Sequence, residues 1–269
     1  MGASGGPKIV HENIMLSYDV GDKSCYTASV DSDANTKVRN LITVNTGSIT
    51  NANTQMDFYR GFTPSGSVEV ENVQKYVQLH GKANNDNNHG NFLGSDGSPD
   101  LADTLTFDFT AMGWARADST QLKSLFGYRG TSFRNGIRVY FHESSGYIQW
   151  TQRMTSGSYP TSGWTSTTMN LTESVYHHIG VRFTRGAGLS GSLDFYRNGE
   201  HINTVASIWP EQPGRVNQGI ISWGIDWGDD DYASNSLSGR LGPFRHYTTA
   251  LTNKEIKEAF DAQRSRFGV

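Results

Sequence analysis

About a dozen short stretches of this chain read as strands, several of them alternating apolar and polar residues with a period of two, against a single stretch with a helical signal. Ile137, Val139 and Phe141 share one face of such a segment, as do Ile179, Val181 and Phe183 of another. A strand of this kind has one apolar face, which needs a second layer to cover it. A chain built mostly of them is expected to form two sheets packed face to face. The clearest unit is Leu193-Asp-Phe-Tyr-Arg, then Asn198-Gly199, then Glu200-His-Ile-Asn-Thr-Val. Asn-Gly accepts the positive φ angles of a two-residue type I′ turn, so this reads as a tight hairpin. Tyr147–Gln152 reads as the partner of Gly136–His142 across Glu143–Gly146.

Further strands are expected at Ile9–Val20, Val38–Val44, Ser67–Glu71, Lys75–His80, Ser124–Tyr128, Ile220–Ile225 and Leu237–Tyr247. Leu105, Phe107 and Phe109 alternate, and the phase then shifts at Met112-Gly-Trp-Ala-Arg, which predicts a bulge there. Residues 21–57 otherwise read as a long polar connection, and 84–103 as a functional loop. The one helix is expected over 253–264. Thr252 is placed as N-cap, Glu255 completes a capping box, and Leu251 with Ile256 can form the hydrophobic staple. Ile256, Ala259, Phe260 and Phe267 fall near one face. The strand 237–247 is expected beside the first strand, with Ile256 and Phe260 covering an open end of the sandwich. Trp114 is expected in the core. Trp164, in Ser162-Gly-Trp-Thr-Ser, and Trp209 are expected in loops, where surface contact and local packing stay equally open.

The composition of the 269 residues suits this picture: 30 Gly, 7 Pro and 12% aromatics. Lys+Arg 23 against Asp+Glu 26 gives a net charge of −3, so there is no electrostatic footprint for nucleic acid and no basic run for a membrane surface. No apolar run approaches membrane-spanning length. Cys25 is the lone cysteine, which excludes an internal disulfide and leaves the compartment open. Met1–Lys8 lacks the apolar core of a signal peptide, and Gly6 breaks the myristoylation pattern.

Val175-Tyr-His-His-Ile-Gly-Val-Arg-Phe and the Leu193–Gly199 hairpin resemble consecutive elements of laminin-G-like domains in the concanavalin A-like superfamily. Leu237-Ser-Gly-Arg-Leu-Gly-Pro-Phe-Arg-His-Tyr, running on to Leu251 and Ile256, is similar to the ending of those domains. The opening Gly6-Pro-Lys-Ile-Val and Ile14–Asp22, the stretch Gly66–Val77, and the ending Phe260-Asp-Ala-Gln-Arg-Ser-Arg-Phe-Gly resemble laminin-G-like structural proteins of tailed bacteriophage virions. Ser24-Cys-Tyr-Thr and Glu71-Asn72 depart from that pattern. The resemblance implies an all-β, two-sheet jelly-roll sandwich with one short C-terminal helix. It is divided as an N-terminal arm (1–8), flexible or subunit-binding through Pro7 and Lys8, and a single domain (9–269). It further implies a non-enzymatic virion component made in the host cytoplasm without a signal peptide: capsid decoration or a head fibre, with other virion proteins or further copies of itself as partners. The absence of any coiled-coil shaft segment favours decoration. The alternative is a tail, baseplate or surface adhesin for host carbohydrate, and a polysaccharide lyase is a remote third reading.

Asp226-Trp-Gly-Asp-Asp-Asp-Tyr232 concentrates carboxylates (Asp226, Asp229, Asp230, Asp231) suited to the oxygen ligation of Ca2+, although a solvated acidic loop explains it as well. Trp223, Trp227, Tyr232 and Trp164 offer stacking faces for sugars. Other motifs carry less. Gly186-Ala-Gly-Leu-Ser-Gly191 has dinucleotide-loop spacing, but a strand follows where a helix is required. Asp31-Ser-Asp-Ala-Asn-Thr36 lacks the glycine and the final glutamate of a calcium loop. His177 and His178 are adjacent on a strand and face opposite ways, which argues against a shared metal. The paired carboxylates of a glycosidase on this fold are absent, since Glu69-Val-Glu71 has no third member, and the Arg-rich strand motif of the lyases is missing.

Overall fold

In the computed structural model the described residues are 9–19, 37–39, 55–58, 77–79, 93–95, 108–118, 123–129, 136–142, 147–153, 164–186, 191–208, 220–223 and 239–269. The strands in chain order are β1 Ile14–Tyr18, β2 Lys37–Arg39, β3 Gln55–Phe58, β4 Val77–Leu79, β5 Leu93–Ser95, β6 Phe109–Ala117, β7 Lys123–Arg129 and β8 Gly136–His142. They continue as β9 Tyr147–Arg153, β10 Trp164–Thr168, β11 His177–Arg185, β12 Gly191–Arg197, β13 Glu200–Ile208, β14 Ile220–Trp223 and β15 Gly239–Tyr247. Two helices close the chain, α1 Asn253–Asp261 and α2 Arg264–Phe267.

The strands form two antiparallel sheets. One has seven strands in the order β1-β15-β6-β11-β12-β13, with β4 also paired to β15. The other has eight, β10-β9-β8-β7-β14-β5-β3-β2. The first strand does pair with β15, with Ser17 opposite Arg245 and Tyr18 opposite Phe244. It is shorter than expected, starting at Ile14. The hairpin of β12 and β13 turns at Asn198 (φ 52°) and Gly199 (φ 77°), the positive angles its sequence calls for.

The inner strands of the seven-stranded sheet, β6, β11, β12 and β15, are buried on both faces, whereas the edge strand β13 is largely exposed. The inner face of the sheet carries Tyr18, Phe109, Ala111, Ile179, Val181, Phe183, Leu193, Phe195 and Phe244, all at most 2% exposed. On the other face, Met112, Tyr196 and Tyr247 form one cluster with Leu251, Ile256 and Ala259, and Trp114 forms a second with Tyr176, Phe260 and Phe267. The helices therefore lie across the outer face of this sheet, a correction to the expectation that they close an end of the sandwich. The helix is also split: α1 ends at Asp261, and Phe267 belongs to α2. The start signal is as read, with both capping-box hydrogen bonds present at Thr252 and Glu255.

Burial on both faces explains a second correction. The pairing of β6 with β11 runs without interruption from Phe109 to Ala115, so there is no bulge at Met112. Met112-Gly-Trp-Ala loses its alternation because either face of β6 is interior. The bulge lies opposite, in β15 between Leu241 and Phe244. It houses Pro243, which has no N–H to give a central strand. A Cβ on the neighbouring Gly242 would come within 2.7 Å of the Phe267 ring and 2.8 Å of Trp114 Cβ. Gly242→Ala is expected to destabilise the protein by about 1–3 kcal/mol, read as a lowered midpoint in chemical denaturation with an unchanged slope.

Candidate functional site

The outer face of the seven-stranded sheet holds its most elaborate polar cluster, and the helices use it. Arg182 donates from Nε and Nη2 to Asp194 Oδ2 at 2.9 and 2.7 Å, and from Nη1 to the Leu251 carbonyl and Asn253 Oδ1. Tyr196 donates its hydroxyl proton to the same Asn253 oxygen at 2.7 Å. Thr204 donates to Asp194 Oδ1, and His201 Nε2 lies 3.3 Å from it. Burial alone would raise the Asp194 pKa. The hydrogen bonds from Thr204 and Arg182, with the Arg182 charge, outweigh it and hold the carboxyl below its ordinary value. An ionised carboxylate with its lone pairs engaged is a poor general acid. The cluster fastens the start of α1 to β11 and β12.

Three histidines are likewise interior. His178 packs against Trp114 and Phe260, and burial followed by the Arg245 charge lowers its pKa to about 3. His246 stacks on Phe109 and is lowered by burial to about 3. His177 is lowered first by burial, and its Nε2 accepts the Thr172 N–H at 3.0 Å, which a neutral ring permits. His177 and His178 sit on opposite faces of β11, as strand geometry requires. Among the described residues no three metal-ligating side chains converge.

The eight-stranded sheet leaves a different face. Its register aligns Trp164, Thr151, Arg138, Gly127, Ser222, Gly94, Asp57 and Lys37 in one row from β10 to β2. Residues in one row of a sheet share a face. The rows on either side of it along β7–β10 add Ser166, Gln149 and Tyr140 in one, and Arg153, Gly136 and Arg129 in the other. The opposite face carries Ile137, Val139, Phe141, Ile148, Trp150, Phe126 and Ile221. The sheet thus has an apolar face suited to the core and a polar, arginine- and tyrosine-bearing face. That polar face is the candidate ligand surface.

The sequence-selected aromatics divide across this sheet. Trp164 opens β10, a strand rather than the expected loop, and lies on the polar face. Trp223 ends β14, one residue beyond the row that contains Trp164, and so lies on the apolar face. The two are four strands apart, roughly 19 Å in the hydrogen-bonding direction. Trp227, Tyr232, Asp226, Asp229, Asp230 and Asp231 lie outside the described residues, as do Pro7, Lys8, Cys25, Trp209, the stretch Asp31–Thr36 and the strand expected at Ser67–Glu71. Gly191 begins β12, so the glycine-spaced segment leads into a strand as expected. The short β3 and β5 were not expected, and Leu93–Ser95 interrupts what reads as a loop. Arg129, Arg138 and Arg153 come from three different strands, so no sequence motif joins them.

A family model described as the concanavalin A-like lectin/glucanases superfamily, of laminin G type, matches residues 83–257. No curated protein matches the chain. Among solved structures, one of botulinum neurotoxin type C, described as entering cells through interaction with two ganglioside molecules, superposes with a TM-score of 0.59 at 12% identity. It covers 93% of this chain and 51% of that one. The binding domain of botulinum neurotoxin DC, in complex with SialylT, gives a TM-score of 0.56 at 11% identity, covering 93% and 52%. The binding domain of serotype C1 gives 0.57 at 14%, also covering 93% and 52%. At such identity the likeness is one of fold. The chain spans 51–52% of the length of these structures.

Proposed function

The chain belongs to the concanavalin A-like lectin/glucanases superfamily, and we propose that it is a non-enzymatic carbohydrate-binding module whose ligand lies on the polar face of the eight-stranded sheet. One observation carries this. The inner strands of the seven-stranded sheet are covered on both faces, by the core and by α1 and α2, and leave only the edge strand β13 exposed among its described residues. In the eight-stranded sheet the register places a run of mostly polar residues on one face, with Trp164 at its β10 edge. Aromatic rings with nearby planar polar groups suit sugars, which present both apolar ring faces and hydroxyls. The neurotoxin structures of the same fold are described with a ganglioside and a sialyl ligand, which supports a sugar as the ligand class here.

The resemblance of both ends of the chain to tailed-phage structural proteins supports placing this module on a virion, as a decoration protein or an adhesin for host glycan, associated with other virion proteins or with itself. Ca2+ held by Asp226, Asp229, Asp230 and Asp231 belongs to the adhesin reading, with Trp227 and Tyr232 as its sugar-stacking residues.

A glycan array separates these sites. Binding lost in Trp164→Ala and kept in Trp227→Ala supports the sheet face, and the reverse pattern moves the site to the segment 226–232. Incorporation into purified particles, with no glycan retained by the intact chain, would leave a decoration role and overturn the binding reading.

A further inference from the structure

The polar face is charged in a way that the whole chain is not. Among the described residues it carries Lys37, Arg39, Arg129, Arg138 and Arg153 against the single carboxylate Asp57. The apolar face of the same sheet carries only Lys123, at the start of β7. The chain as a whole has a net charge of −3. A cationic face on an acidic protein calls for a local reason.

The cations are grouped. Arg129 and Arg153 flank Gly136 in one row. Arg138 is two residues along β8, in the row of Trp164 and Thr151. With strands about 4.8 Å apart and alternate residues about 6.7 Å apart, the three arginine Cα positions form a triangle with sides of roughly 8–10 Å. Trp164 lies roughly 8 Å from Arg153 by the same spacing. Gly127, Ser222 and Gly94 continue the Trp164 row with small residues, while Ile220 follows Arg129 in the adjacent row.

We propose that this face binds an acidic glycan, one whose sugars carry carboxylate or sulfate groups, with Arg129, Arg138 and Arg153 as the anion-recognising trio and Trp164 as the stacking platform. The proposal rests on the carbohydrate reading above and specifies its ligand. Guanidinium groups bind carboxylate and sulfate oxygens through paired N–H donors, which a neutral sugar does not reward. The trio occupies a patch about 10 Å across, and Lys37 and Arg39 lie four strands beyond Arg129, with the neutral residues of β14 and β5 and the carboxylate Asp57 between, so the cations do not form a continuous stripe. Together with the net negative charge, this disfavours a long nucleic-acid backbone, which gains its affinity from many phosphate contacts.

The test is titration calorimetry of the full chain with four probes: hyaluronan oligosaccharide (carboxylate), heparin oligosaccharide (sulfate), neutral dextran, and single-stranded DNA of matched charge. The expected result is binding to one or both acidic glycans, weakened by salt, with dextran and DNA at least tenfold weaker. Which acidic probe binds identifies the anion. Arg138→Gln should weaken that binding by about ten- to a hundredfold, the worth of a hydrogen bond to a charged group. Should that variant fail to fold, Arg153→Gln at the end of β9 is read in its place, with circular dichroism confirming the fold. Binding of dextran as tight as that of the acidic probes, or arginine variants that bind normally, would overturn the acidic specificity and leave the carbohydrate reading standing. Failure of all three glycans would overturn both. DNA bound as tightly as the acidic glycan would show a general polyanion surface and also overturn the proposal.

Discussion

Trp114→Ala is expected to cost about 3–5 kcal/mol of unfolding free energy, the range for truncating a large buried aromatic. Trp114 is 0% exposed and is stacked between two pieces of the C-terminus, with Phe260 at 5.6 Å and Phe267 at 4.3 Å between ring centroids. Its indole Nε1 also donates to Gln263 Oε1 at 3.0 Å, the oxygen that accepts from Arg245 as well. Truncation removes the platform for both helices and one partner of a buried amide. The loss should appear in chemical denaturation as a lower midpoint, with hydrogen exchange in residues 253–267 accelerated more than in β12 and β13. A cost below about 1 kcal/mol, the scale of a surface change, would mean that the helices do not depend on this platform.

Acid should destabilise the fold well before its carboxylates protonate. His178 and His246 are held to about 3 in the folded chain, against an ordinary value of 6.5. The unfolded chain takes up these protons below pH 6.5 and the folded chain does not. Their contribution is therefore fully present above pH 6.5 and is lost as pH falls from there towards 3. Each histidine contributes a slope of about 1.4 kcal/mol per pH unit within that window. His177, lowered in the same direction, steepens it. The check is the unfolding free energy measured at intervals between pH 7 and 4. His178→Gln should remove about one proton from the slope whatever it does to the absolute stability. A flat profile over that range would contradict burial of these rings.

The parts of the fold written in the sequence are those fixed by local chemistry. Asn198-Gly199 specifies its turn through two residues that tolerate positive φ, and Thr252 with Glu255 specifies a helix start through hydrogen bonds three residues apart. Long-range burial is what the pattern hides. Gly113 and Trp114 look out of phase because both faces of β6 are interior, and the compensating bulge sits at Pro243, on a strand more than a hundred residues later. Leu93-Gly-Ser is too short to show any period. Trp164 reads as loop because serine and glycine precede it, yet Thr165, Thr167 and Thr168 are β-branched residues suited to the β10 edge.

The candidate site was less legible for a related reason. Attention goes to the contiguous run Asp226–Tyr232, whereas the arginine triangle exists only through register. Arg129, Arg138 and Arg153 lie on β7, β8 and β9 and become neighbours when those strands pair. Net charge conceals the same feature, because a −3 total averages a cationic sheet face with an acidic remainder.

The proposed ligand position is the polar face of the eight-stranded sheet. Amide chemical-shift mapping of the full chain, saturated with the tightest-binding oligosaccharide, tests it most directly. The largest shifts are expected in β8, β9 and β10, at residues 136–142, 147–153 and 164–168. Shifts confined to residues 226–232, or to the outer face of the seven-stranded sheet around Asp194 and His201, would contradict it.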